Sequence, residues 1–140
     1  MKNHHKIIIS ISSYIGFYLA KDWIRNGIRV SGTYRIRTNH CDELEQLGAK
    51  LIKCDLSNVK EIKDLTKLIL KDFKTIDVLI NNAAYTTKSS INKKVKKTSF
   101  EEFPYDTWKN SLSVNLTAVF LFCQEFGKIM LKQKNGIIVN

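Results

Sequence analysis

The chain has 140 residues, enough to bury the core of one domain. Hydrophobic residues make up 44% and charged residues 26%, a globular balance that excludes a disordered tail and a fibrous repeat. The formal charge of +10 raises the possibility of a nucleic-acid partner, but its one dense cluster, Lys88–Lys97, has no interleaved aromatics to stack on bases and reads as a solvated loop.

The first element is the β-branched run Lys6–Ser10, a short buried strand. A small polar turn, Ile11–Gly16, leads into a helix marked by Ile15, Leu19, Ala20, Trp23 and Ile24 at helical spacing, and Asn26-Gly27 ends it. Ile28–Tyr34 is a second strand that runs into Arg35. Asp42–Leu47 is a short helix stopped by Gly48, and Lys50–Cys54 is a third strand followed by Asp55-Leu56-Ser57-Asn58. Val59–Phe73 is an amphipathic helix with Ile62, Leu65, Leu68 and Ile69 on its apolar face. Ile76–Ile80 is a fourth strand that enters Asn81-Asn82-Ala83-Ala84. After a polar loop, Tyr85–Phe103, a long helix spans Tyr105–Lys132, and its stripe of Trp108, Leu112, Leu116, Val119 or Phe120, and Cys123 is expected to face the core. Gly136–Val139 opens a fifth strand.

Strands that alternate with helices give an α/β domain with a parallel sheet covered on both faces, and right-handed crossovers make it doubly wound. Ligands bind such sheets at the carboxyl ends of the strands. Ser10–Gly16, Arg35, Asp55 and Asn81–Ala84 all fall there, so Gly16, Arg35, Asp55 and Asn82 are expected to line one nucleotide cleft. Arg35, with Arg37 nearby, stands where an acid would grip a ribose diol. A guanidinium suits a 2′-phosphate, so NADP is expected in preference to NAD. An exposed loop arginine is the plain alternative for Arg35, and a helix N-cap is the alternative for Asp55.

These residues resemble the short-chain dehydrogenase/reductase family over nearly the whole chain. The family's first motif, T-G-x-x-x-G-I/L-G, aligns with Ile9–Gly16; Ile15 and Gly16 match, while Ser10 and Tyr14 stand at glycine positions. Cys54-Asp55-Leu56-Ser57 is similar to the segment that lies near the adenine. Asp77–Ala84 matches N-N-A-G, with Ala84 in place of glycine, and Trp108, Ser113, Asn115, Leu116 and Phe120 match the pattern of the long helix. The resemblance implies a Rossmann-type sheet of about five strands in the order 3-2-1-4-5. It implies a cofactor site of Ser10, Ser12, Ser13, Ile15, Gly16, Arg35, Asp55, Leu56, Asn82, Ala83 and Ala84. Asn115 is the catalytic residue it implies, supporting a proton relay in the family; a buried amide that makes a structural hydrogen bond to neighbouring backbone is the alternative.

The implied reaction is hydride transfer between the nicotinamide of NADP or NAD and a small carbonyl or alcohol substrate. The family carries a serine after strand five and then Y-x-x-x-K. Val139-Asn140 stands where that segment begins, so residues 1–140 are expected to be the cofactor-binding N-terminal portion of a longer protein, with an incomplete sheet and no turnover alone. The string Tyr105–Lys109 fits Y-x-x-x-K on the wrong helix and reads as coincidence. A homodimer or homotetramer is the expected parent, because the long helix contributes to a dimer interface in the family. A nucleotide-binding scaffold without catalysis is the alternative, and a basic nucleic-acid binder ranks below it.

Three widely spaced cysteines, Cys41, Cys54 and Cys123, read as reduced thiols of a cytoplasmic protein, and no metal site is expected. His4 and His5 are placed at a frayed terminus. Runs such as Lys6–Ile11 and Val78–Ile80 are too short to span a bilayer, and neither a membrane nor a signal peptide is expected. The substrate is not legible, although Lys88–Lys97 near the site hints at an anionic one, such as an acyl-carrier thioester or an activated sugar.

Overall fold

In a computed structural model, residues 4–86 and 99–140 are described. Five strands, β1 (His5–Ile9), β2 (Arg29–Tyr34), β3 (Lys50–Lys53), β4 (Val78–Asn81) and β5 (Ile137–Val139), form one sheet in the order β3-β2-β1-β4-β5. Every pairing is parallel, with Ile7 opposite Ser31 on β2 and Leu79 on β4. The helices are α1 (Tyr14–Arg25), α2 (Asn39–Gln46), α3 (Val59–Asp72), α4 (Tyr105–Leu112) and α5 (Ala118–Gln133). A five-residue π turn, Ser113–Thr117, joins α4 and α5. The order is the one expected, and the lysine cluster Lys88–Lys97 lies outside the described residues.

Alternation along β1 sets the two layers. Ile8 points into a core with Phe17 and Ala20 of α1 and Leu44 of α2. Ile7 and Ile9 point the other way, onto Ile62, Leu65 and Ile69 of α3 and Phe122, Phe126 and Met130 of α5. The helix ends are fixed by side chains. Ser13 caps α1 by accepting from the Gly16 N–H, and Gly27 follows its end at φ 75°. Asn58 Oδ1 accepts from the N–H of Lys60 and Glu61 at the start of α3. Glu61 accepts in turn from Asn58 Nδ2 at 3.0 Å and from the Asp55 N–H at 2.8 Å, which ties the first turn of α3 to the loop before it.

Two expectations change. His5 is not frayed: it begins β1, is 1% exposed, stacks on Phe73 at 3.6 Å and bonds Ser31 Oγ at 2.9 Å. Burial, with the Arg29 charge second, pushes its imidazole down to about 4. The stripe assigned to the core is the outer face of the long helix: Trp108 is 54% exposed, Leu112 39%, Leu116 64% and Phe120 59%. The sheet instead receives Ala118, Phe122, Phe126 and Met130. By length and composition the 29-residue helix Tyr105–Gln133 could cross a bilayer, but this second stripe packs on the sheet as a core helix does.

Candidate functional site

The carboxyl edge of the sheet holds a cleft of about 260 Å³. The turn after β1 supplies Ser10, Ser12 and Ser13. Thr33 of β2 and the following Arg35, Ile36 and Thr38 form a second wall. Cys54, Asp55 and Leu56 come from beyond β3, Ala83, Ala84 and Tyr85 from beyond β4, and Val114 from the π turn. The parallel topology therefore brings four distant loops together, as the strand ends require.

The turn after β1 is built by backbone bonds. Ser10 has φ 64°, the left-handed conformation that favours glycine. Its N–H donates to Thr33 Oγ1 at 2.9 Å, and the Ile11 N–H donates to the Thr33 carbonyl at 2.8 Å. The Ser10 carbonyl accepts from Asn82 Nδ2 at 3.0 Å and from the Ser13 N–H at 3.3 Å. Asn82 Nδ2 also donates to Ser13 Oγ. Gly16 packs beneath this turn, and a Cβ there would stand 2.8 Å from the Ser10 carbonyl oxygen and 3.0 Å from Asn82 Nδ2. Gly16 and Asn82 therefore support the cleft from behind and do not line it, unlike Arg35 and Asp55. Ile15 does not line it either: its side chain is 70% exposed on the outer side of α1. Tyr14 turns away from the cleft too, its ring edge-on to Tyr18 at 4.8 Å, and the bond to Tyr18 raises its phenol above the usual range.

Asp55 is not the N-cap of α3, which is Asn58. Its Oδ1 accepts from the Ser57 N–H at 2.9 Å and the Ser57 hydroxyl at 2.8 Å. These bonds, with the Arg35 charge adding to them, hold the carboxyl below its usual range. Arg35 makes no ion pair among the described residues, whereas Arg37 is committed to Asp42 and Glu45 on α2. The two arginines therefore do not act as a pair. Burial, then the charges of Glu61 and Asp55, pushes the Cys54 thiol up to about 12, so it faces the cleft as a neutral group.

Asn115 does not line the cleft, and it is exposed rather than buried in an apolar helix. Its Oδ1 accepts from the Tyr85 N–H at 2.7 Å and its Nδ2 donates to the Tyr85 carbonyl at 2.9 Å. The side chain thus clamps the loop after β4 to the π turn, which places Tyr85 and Val114 in the wall. Thr33, Ile36, Thr38, Cys54, Tyr85 and Val114 were not expected in the site. Thr33 and Thr38 flank the Arg35 segment, and the rule that found Arg35 could have found them; nothing in the sequence pairs Tyr85 with Asn115. All three cysteines are free, and the described residues contain no cluster of three or more candidate metal ligands.

Residues 5–140 match the family described as short chain dehydrogenase. An uncharacterised oxidoreductase of Bacillus subtilis is 28% identical over 146 residues, covering 100% of this chain and 53% of the relative. A 3alpha-hydroxysteroid dehydrogenase of Mediterraneibacter gnavus is 30% identical over 148 residues, covering 100% and 55%. A metagenomic short-chain oxidoreductase solved in complex with NADP superposes with TM-score 0.83 at 25% identity, over 96% of this chain and 59% of that one. The chain spans about half the length of the curated relatives it matches. Sheet order, cleft and sequence agree, and this chain belongs to the short-chain dehydrogenase family.

Proposed function

We propose that these residues hold the adenosine and phosphate half of NADP for an oxidoreductase acting on a small carbonyl or alcohol. One observation carries the reading: Arg35, without an ion pair among the described residues, stands at the end of β2, and Asp55 is the only carboxylate among the described lining residues. The position after β2, where an acid would grip a ribose diol, holds Arg35, whose planar guanidinium suits a 2′-phosphate. The volume of about 260 Å³ is small for a whole dinucleotide and fits its adenosine end, since ligand pockets start at roughly 300 Å³. Ser12 and Ser13, at the start of α1, supply hydroxyls and the helix dipole for the adjoining phosphates. The related oxidoreductase solved with NADP supports the same cofactor class. When bound, the nicotinamide supplies the hydride; the chain's own residues orient it.

Calorimetric titration of the 140-residue chain tests this. NADPH is expected to bind at least tenfold tighter than NADH, and Arg35→Ala to remove that difference, because a hydrogen bond to a charged group is worth about 1.5–3 kcal/mol. Equal affinities in the unmodified chain would overturn the preference, and no binding would overturn the site. A second reading, nucleotide binding without catalysis, is favoured by Ser10 and Tyr14, which stand at glycine positions of the family's first motif. Under it NADPH binds but carbonyl compounds leave its absorbance unchanged in these residues and in any longer form. The exposed stripe Trp108, Leu112, Leu116 and Phe120 suits contact with a second copy, so the protein is proposed to self-associate through this helix.

A further inference from the structure

We propose that His40 is a positioning residue that locks the phosphate-facing turn after β1 to the segment carrying Arg35. This inference rests on the nucleotide reading above. His40 is the second residue of α2 and lies outside the cleft lining. Its ring stacks on Phe17 of α1 with centroids 4.0 Å apart and planes 15° apart. Phe17 is 3% exposed, so it gives the imidazole a fixed bed. His40 Nδ1 lies 3.2 Å from the Ser12 carbonyl oxygen. A carbonyl only accepts, so Nδ1 carries the hydrogen and the tautomer is set by this contact.

The consequence falls on the peptide between Ser12 and Ser13. Its carbonyl is held by His40, and its N–H is held by the Ser10 carbonyl at 3.3 Å. The negative end of that peptide dipole therefore points to a residue outside the cleft instead of toward an incoming phosphate. Ser13 Oγ accepts from the Gly16 N–H and Asn82 Nδ2, which leaves its hydroxyl hydrogen to donate into the cleft it lines. With His40 removed, the peptide keeps only the bond at its N–H, and a carbonyl that turned toward the cleft would oppose an anion. The same side chain joins two loops. Arg35, Ile36 and Thr38 lie just before α2, so His40 couples the grip on a 2′-phosphate to the grip on a 5′-phosphate.

Two probes separate these grips. Adenosine 2′,5′-bisphosphate engages both loops; adenosine 2′-monophosphate engages the Arg35 side without a phosphate at the turn. In calorimetric titrations, His40→Phe keeps the stacking on Phe17 and loses the bond. It is expected to weaken the bisphosphate about fivefold, the size of one net hydrogen bond, and to change the monophosphate by less than about twofold. His40→Asn, whose amide nitrogen is bonded to Cγ as Nδ1 is and can donate to the Ser12 carbonyl, is expected to recover most of the loss. His40→Leu, which covers Phe17 without a ring, should repeat the split if His40→Phe does not fold. Equal weakening of both probes would show a merely structural role and overturn the proposal, as would no weakening of either. If the unmodified chain binds neither probe, the nucleotide reading itself fails. If it binds both and the variants do not discriminate, only the role of His40 fails.

Discussion

Replacing Ser10 with glycine should stabilise the fold, although it removes a side chain. Ser10 sits at φ 64°, where an L-residue pays roughly 1–2 kcal/mol. Its anchors are backbone groups: the N–H on Thr33 Oγ1 and the carbonyl under Asn82 Nδ2 and the Ser13 N–H, all of which glycine keeps. Against the relief stands the larger freedom of glycine in the unfolded chain, roughly 0.5–1 kcal/mol. The net gain is about 0.5–1 kcal/mol, or about 2–4 °C in Tm for a chain of this size. The mirror substitution calibrates it. Gly27 has φ 75° with nothing within 4 Å of a Cβ built on it, so Gly27→Ser adds the same side chain at a similar angle without a clash. It should cost about 1 kcal/mol. Urea and thermal melts of both variants at one pH measure the pair. A loss of stability in Ser10→Gly together with no loss in Gly27→Ser would refute the reasoning, because it would mean that the serine side chain, rather than the backbone bonds, holds the turn.

Gly16→Ala should destabilise by about 1–3 kcal/mol in urea melts, since the new Cβ meets the Ser10 carbonyl oxygen at 2.8 Å and the Ile11 Cα at 2.9 Å, both backbone atoms. Stability should fall as pH drops from about 6.5 toward 4: buried His5 stays neutral down to about 4 while the unfolded chain binds a proton from 6.5, so the loss reaches at most about 3 kcal/mol and levels off below 4. Denaturation midpoints at pH 7, 5.5 and 4.5 measure this, and His5→Gln should flatten the slope. Leu116→Glu, at a site 64% exposed, should leave the melting temperature nearly unchanged and reduce the self-associated mass seen by light scattering.

Much of the fold was legible because short β-branched runs alternate with amphipathic helices, and the boundaries moved by only one to three residues at most elements. The long helix shows where periodicity stops informing. Trp108-Leu112-Leu116-Phe120 and Ala118-Phe122-Phe126-Met130 both repeat every four residues. Spacing announces a stripe but does not say which stripe meets the sheet. Leu116 lies inside the π turn Ser113–Thr117 and Phe120 beyond it, and both stay on the outside with Trp108. The burial of His5 is not legible for a different reason: it depends on Phe73 and Ser31, which come from α3's end and β2 and have no signature near residue 5.

In the site, residues that follow strand ends were legible and residues that act through another element were not. Ser10, Ser12, Ser13, Arg35, Asp55, Leu56, Ala83 and Ala84 line the cleft because topology alone puts them there. The Asn115–Tyr85 clamp and the His40–Ser12 contact join segments 30 and 28 residues apart, through a side chain on one side and backbone on the other. Such contacts leave no pattern in residue types, since any backbone can be the partner. The turn after β1 makes the same point from the other direction. Serine at position 10 looks like the loss of a motif, yet the backbone there keeps the left-handed angle that the missing glycine would favour. Thr33, Asn82 and Ser13 hold it in place through bonds to Ser10's own N–H and carbonyl. A turn defined by its hydrogen bonds can therefore survive a change of residue that its sequence motif does not, at the cost of strain that the pair Ser10→Gly and Gly27→Ser would expose.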